Sequence, residues 1–255
     1  MKVICIFSQK GGVGKTTTNI NLCTYLALNG YKVLTIDIDP QGNTTSGFGI
    51  DKNKVNKSIY NVLTSDINLN DAMKESELIN NLYIVPSKIE LAGAEVELIN
   101  EENRELILKK RIADLNNEFD FIFIDCPPSL GFLTINALTA CNSVIIPIQC
   151  EFYALEGVGQ LLNTINLVKK SLNKSIKVEG VIMSMYDGRT NLSSQVKDEI
   201  KKYFKDKVYN TTIPRNIRLA EAPSFGLPIA LYDDKCKGAK YYLELSKEFL
   251  KRQKE

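Results

Sequence analysis

Apolar residues along this chain cluster into short runs separated by longer stretches of helical periodicity. Runs at 3–7, 32–36, 82–85, 121–124, 144–148, 178–183 and 208–213 read as strands. Several are continuous rather than alternating, the pattern expected of parallel strands covered on both faces. Between them, residues 16–28, 95–115, 155–172 and 192–204 repeat apolar positions every three to four residues and predict helices. Strand and helix alternate with short connections. The expected fold is therefore α/β, a doubly wound, mostly parallel sheet flanked by helices, built as a single domain over residues 1–255. Such sheets place ligands beyond the carboxyl ends of their strands.

Composition narrows the chemistry. At 255 residues with 44% hydrophobic and 24% charged side chains, the chain is of ordinary globular type. It has no histidine, which excludes a Ser-His-Asp triad and the usual histidine-bearing zinc sites. Cysteines stand at 5, 23, 126, 141, 150 and 236, with no C-x-x-C pair, and Cys5 and Cys126 fall within apolar runs. Buried, reduced thiols in a cytoplasmic protein are the expectation. No apolar run approaches the roughly 20 residues needed to span a bilayer, so no membrane partner is expected.

The densest chemistry follows the first strand, in Lys10-Gly11-Gly12-Val13-Gly14-Lys15-Thr16-Thr17. Glycines let successive backbone N–H groups turn inward onto phosphate oxygens, and the helix N-terminus adds partial positive charge. In this P-loop pattern Lys15 supplies charge to the β and γ phosphates, and the Thr16 hydroxyl can ligate Mg²⁺. The substrate expected is ATP. Carboxylates follow at strand ends: Asp37 and Asp39 after the second strand, and Asp125 after the strongly apolar run 121–124. Phosphoryl transfer needs a metal ion, charge neutralisation and a positioned water, and acids at these places can hold the metal and the water.

The loop departs from the general G-x-x-x-x-G-K-[ST] pattern. Gln9 stands where its first glycine would fall, and a second lysine precedes the glycines at position 10. Two lysines five residues apart would crowd one phosphate group, so Lys10 could serve a nucleotide on another subunit. K-G-G-V-G-K-T-T resembles the deviant Walker A motif of the ParA/MinD/nitrogenase iron-protein ATPases. The likeness to chromosomal ParA proteins of the Soj type extends through D-I-D-P-Q-G-N-T-T-S-G-F-G-I at 37–50, E-L-A-G-A-E-V-E-L at 90–98, D-C-P-P-S-L-G at 125–131, E-F-Y-A-L-E-G at 151–157 and I-P-R-N-I-R-L-A-E-A-P-S at 213–224.

That resemblance implies an ATP-bound homodimer in which Lys10 reaches the partner's nucleotide and Glu151 lies near the interface. It implies that Asp39 acts on the attacking water, that Asp125 holds magnesium through a bridging water, and that Pro214 and Asn216 lie near the adenine. It also implies nonspecific binding to double-stranded DNA through Arg189 and Arg218, a ParB-type protein that stimulates hydrolysis, and a nucleoid-associated place in the cytoplasm. Charge distribution agrees with a nucleic-acid partner. Residues 189–218 hold eight lysines and arginines against three acids, +5 on a chain whose total is only +2. A MinD-like membrane protein would instead carry an amphipathic C-terminal helix, whereas residues 251–255 here are polar. An ATP-dependent metabolic ligase would show a small-molecule pocket and no affinity for DNA.

Overall fold

Seven strands form one sheet: β1 (Lys2–Ile6), β2 (Val33–Asp37), β3 (Lys74–Glu75), β4 (Leu82–Val85), β5 (Phe121–Asp125), β6 (Ser143–Gln149) and β7 (Lys177–Ser184). They lie in the order β3-β4-β2-β5-β1-β6-β7, and only β3, at the edge, runs antiparallel to its neighbour. This computed structural model describes residues 1–116, 118–151 and 154–254. The principal helices are α1 (Lys15–Leu28), α2 (Ile107–Ala113), α3 (Phe132–Ala140), α4 (Ala154–Ser171), α5 (Asn191–Phe204) and α6 (Lys237–Arg252). None of the helices among the described residues is long and apolar enough to cross a membrane.

The doubly wound, mostly parallel sheet expected from the pattern is the fold observed. Alternate residues of the central strands feed opposite cores. Val3, Cys5 and Phe7 join a core closed by Leu108 and Ile112 of α2, Leu133 and Leu138 of α3, Ile165 of α4 and Ile200 of α5. Ile4 and Ile6 face the other way, toward Leu22 and Leu26 of α1 and Tyr242 and Phe249 of α6. On that side Phe249 packs edge-on against Phe121 with ring centroids 5.3 Å apart, joining α6 to β5. Both faces of β5 are therefore dry, which is why its sequence is apolar without alternation up to Asp125.

Two expectations from the pattern are corrected. The helix predicted over 95–115 is broken into the short helix Ala94–Glu97, a 3₁₀ turn at Arg104–Leu106, and α2. Asn103 between them adopts a left-handed φ of 56°, which ends one helical path before the next begins. The run 208–213 forms no strand. It meets β7 and the segment after it at the isolated bridges Val181–Val208 and Tyr186–Pro214, with the Tyr209 and Ile213 N–H groups donating to the Val181 and Met183 carbonyls at 2.9 and 2.8 Å. Between the bridges the N–H groups of Asn210 and Thr211 donate to the Glu248 carboxylate on α6, at 2.8 and 2.9 Å, instead of to a strand. Helix α3 and strand β3 have no counterpart in the pattern. The first is buried nearly all round, with Thr134, Asn136 and Thr139 inside as well as its apolar residues, so no one-sided periodicity reveals it.

Candidate functional site

The carboxyl ends of β1, β2 and β5 meet at the site, because β5 lies between the other two. From β1 the chain passes through Gly12 and Gly14, at φ of 73° and 88°, and enters α1 at Lys15. Those left-handed angles suit glycine above other residues and aim the loop's N–H groups into its concave side. No side chain caps α1 at Gly14, so the helix N-terminus presents its donors to whatever the loop holds. Ser184, at the end of β7, anchors the loop by donating to the Val13 carbonyl at 2.8 Å.

Lys15 is buried, and its Nζ donates to the Lys10 carbonyl across the loop at 3.2 Å. Burial lowers its pKa, while the charges of Asp125 and Asp39 act in the opposite sense. An ammonium held in this way gains most when an anion arrives to neutralise it. Asp125 is fully buried, and one of its oxygens accepts from the Thr16 and Thr44 hydroxyls, each at 2.8 Å. Its other oxygen is buried with no hydrogen-bond partner among the described residues. Burial raises the pKa of Asp125 despite those two hydroxyl donors. An orphaned carboxylate oxygen beside a threonine hydroxyl is a donor set that suits a hard cation such as Mg²⁺. Thr16 and Asp125 thus fit the metal role, and Thr44 supports them.

Asp37 and Asp39 separate sharply once placed. The Asp37 carboxylate accepts the Thr45 N–H at 2.8 Å, the Thr45 hydroxyl at 2.7 Å and the Asp39 N–H at 3.2 Å. Burial and the nearby Asp125 charge raise its pKa, against the pull of those donors. Asp37 therefore pins the short helix Asn43–Gly47, which carries Thr44 to Asp125, and both its oxygens are engaged in doing so. Asp39 accepts only the Gln41 N–H, at 2.9 Å, through one oxygen. Its second oxygen makes no hydrogen bond among the described residues. Sequence reasoning missed Thr44, Thr45 and Ser184. The first two lie inside a quoted motif, but nothing in their spacing announces hydroxyls aimed at acids.

Lys10 lies outside this buried cluster. Its Nζ pairs with Glu151 of the same chain at 2.9 Å, with both side chains nearly half exposed. Gln149 also donates to Glu151. Beside Gly14 and Thr17 opens a cavity of about 390 Å³, whose wall includes Pro214, Asn216 and the buried Tyr242. The Asn216 side chain accepts from the Leu219 N–H and caps the helix Ile217–Glu221. Arg189 and Arg218 lie on segments joined by the Tyr186–Pro214 bridge. Arg189 forks onto Asp187 at 2.7 and 2.9 Å, and Arg218 pairs with Glu221 at 3.0 Å and Asp233 at 3.5 Å. Both arginines are exposed and both are engaged locally. Of the motif at 151–157, residues 152 and 153 lie outside the described residues.

The AAA domain family matches residues 1–178. The chain is 56% identical to the sporulation initiation inhibitor protein Soj of Bacillus subtilis, over 97% of both chains. Among solved structures, cobyrinic acid a,c-diamide synthase from Mycobacterium smegmatis, with bound ADP and magnesium, superposes with a TM-score of 0.87 at 37% identity, over 100% of this chain and 96% of that one. A putative plasmid partition protein from Borrelia burgdorferi bound to AMPPNP superposes with a TM-score of 0.83 at 30% identity, over 98% and 99%.

Proposed function

The chain belongs to the Soj/ParA family of chromosome-partitioning ATPases, and from that membership we propose that it is an ATP-switched dimer that holds DNA without reading sequence. The observation that carries this is the pair of lysines. Lys15 is buried in the phosphate loop, while Lys10 points outward into an exposed ion pair with Glu151. A single bound nucleotide needs the first and leaves the second for another molecule.

In this reading the loop from Lys10 to Thr17 cradles the ATP phosphates with backbone N–H groups, and Lys15 neutralises the β and γ oxygens. Magnesium held by Thr16 and by Asp125, through water, would supply further charge neutralisation. Asp39 keeps an oxygen available to orient and deprotonate the attacking water. The base enters the cavity bordered by Pro214 and Asn216. Lys10 exchanges Glu151 for the partner's nucleotide, and the exchange is easy because an exposed ion pair contributes only about 0–1 kcal/mol. ATP must stabilise the dimer more than the monomer, or it would shift nothing. Arg189 and Arg218 likewise trade exposed carboxylates for DNA phosphates, and a ParB-type partner stimulates hydrolysis and release. A nucleoid-associated, cytoplasmic protein follows from that cycle.

The likeness to the Mycobacterium smegmatis synthase favours a second reading, an ATP-dependent ligase acting on a small molecule. A shared fold does not choose between them. Sedimentation and DNA-shift measurements with ATP against ADP do. The partition reading expects an ATP-dependent dimer that binds any duplex, and a Lys10→Ala variant that binds ATP but stays monomeric. Arg189→Glu or Arg218→Glu should dimerise normally and flatten the salt dependence of DNA affinity, by about 0.9 in log–log slope for each phosphate no longer neutralised. A wild-type chain that ignores DNA at low salt in the presence of ATP favours the ligase.

A further inference from the structure

A chain of buried polar side chains reaches Asp125 from behind the phosphate loop. On α1, Thr16, Asn19 and Cys23 fall at i, i+3 and i+7 and so share one face. Thr16 donates to Asp125. Asn19 donates its amide N–H groups to the Thr35 hydroxyl of β2 at 2.8 Å and to the Thr44 hydroxyl at 3.1 Å. The Cys23 thiol donates to the Asn19 side-chain oxygen at 3.8 Å. Asn19, Thr35 and Thr44 are fully buried. The helix Asn43–Gly47 lies so close to α1 that a Cβ on Gly47 would meet Ile20 Cδ1 at 2.3 Å. An amide buried beside Ile20, Leu22 and Leu26 is costly where an apolar residue would seal the same helix, and it is held here only because its partners are in place.

The direction of these hydrogen bonds is fixed from their far end. An ionised carboxylate only accepts, so Thr44 must give its single proton to Asp125, at 2.8 Å. Its lone pairs are left to accept, and what they accept is an Asn19 N–H. Turned over, the amide would set its oxygen against both hydroxyls and draw the Thr44 proton away from Asp125. The Thr16 and Thr44 protons meet on the same carboxylate oxygen. The other oxygen, with no hydrogen-bond partner among the described residues, is the one left for a cation or its bound water. We infer that Asn19 is a positioning residue for the metal site: by donating to Thr44 it commits that hydroxyl to Asp125, and so decides which carboxylate oxygen is offered.

The same bond spans two moving parts of the site. Asn19 stands one turn beyond Thr16 on the helix that leaves the phosphate loop, and Thr44 stands on the segment that follows Asp39. Asn19 itself touches neither phosphate loop nor carboxylate, so its loss should be felt in metal affinity rather than in phosphate binding. That the cation is magnesium beside a nucleotide rests on the proposed function; the chain of donors does not.

Mn²⁺ titrated into the full chain with ADP, and followed by electron paramagnetic resonance, reads the site without turnover. Asn19→Leu, close in shape and without donors, should weaken Mn²⁺ about tenfold and leave metal-free ADP affinity unchanged. Thr44→Val should do the same, and Thr44→Ser should bind as the wild type does. Combined, Asn19→Leu and Thr44→Val should lose no more than either alone, because both act through one hydroxyl. Thr35→Val removes the other acceptor of Asn19 at equal burial. It should lower the melting temperature without weakening Mn²⁺, which separates positioning from packing. Should Asn19→Leu fail to fold, Asn19→Ala leaves a hole rather than a clash and carries the same expectations. Wild-type Mn²⁺ affinity in the Asn19 variant overturns the proposal, as do additive losses in the double variant or an equal loss in Thr35→Val. A wild type that binds no Mn²⁺ with ADP removes the metal site of the proposed function, and the role of Asn19 with it.

Discussion

The two ends of the sheet handle charged groups in opposite ways. At the carboxyl end, among the described residues, Asp125 keeps one buried oxygen without a partner, Asp39 uses one oxygen of two, and α1 begins uncapped. At the amino end the charges close on one another. Lys2 pairs with Glu179 at 2.8 Å, and Gln253 donates to Glu179 at the same distance. Arg252 reaches Glu248 at 2.8 Å and the Val208 carbonyl at 2.9 Å, and lies over the Tyr209 ring at 4.2 Å. Glu248 also takes the Asn210 and Thr211 N–H groups. An unmet buried polar group costs about 1–3 kcal/mol, so the carboxyl end is unfinished in a way that a ligand can complete. At the amino end each of these charged groups has its partner, although the Tyr209 and Ser143 hydroxyls there are buried without one among the described residues. Similar residue types therefore signal function at one end and cohesion at the other, and pairing is what tells them apart.

Four substitutions test that contrast. The largest effect is expected from Asp39→Ala, which should slow single-turnover ATP hydrolysis by about 10²-fold or more while nucleotide still binds. Hydrolysis at the wild-type rate would remove Asp39 from the reaction, and Asp37, held by three donors, could not replace it. Next is Lys15→Ala. Removing a charge-assisted hydrogen bond of about 3 kcal/mol should weaken ATP about a hundredfold by equilibrium titration. Melting temperature should hardly fall, since the buried ammonium and its need for a partner disappear together. Tight ATP binding would mean that the loop holds phosphate by backbone alone.

At the amino end the pattern should reverse. Arg252→Met should cost roughly 2 kcal/mol in denaturant unfolding, from carbonyls and a carboxylate left without their donor, with ATP affinity unchanged. A variant as stable as the wild type would show that this network adds nothing to cohesion. The smallest effect is a matter of pH. Burial alone would raise Glu248 and Glu179, but hydrogen bonds from Asn210 and Thr211 to the first, and from Gln253 and Lys2 to the second, hold both below the ordinary 4.5. A depressed carboxyl pKa contributes stability that is present above the unfolded value and lost as pH falls through the folded one. Glu248→Gln should therefore flatten the acid side of the stability profile, below about pH 4.5, and leave neutral hydrolysis alone. An unchanged acid limb would show that the amino-end network is not what resists acid.

Much of the phosphate site is legible in the sequence. Glycines at 12 and 14 followed by Lys15 and Thr16 specify a phosphate loop, because few other residues accept those backbone angles at that spacing to a helix start. The continuous apolar run ending at Asp125 specifies a central parallel strand with an acid at its carboxyl end. What periodicity does not carry is pairing. Whether Asp37 or Asp39 keeps a free oxygen is decided by Thr45, eight residues from the first, through the fold of Asn43–Gly47. That 208–213 is no strand is decided by Glu248, nearly 40 residues away in sequence. Local sequence sets backbone preference and the alternation of apolar faces, so it determined most of the elements, their order and the phosphate loop. Hydrogen bonds between distant side chains depend on which surfaces the cores bring together, so tertiary structure alone decided which acids are satisfied, which lysine is buried, and where the chain is left open.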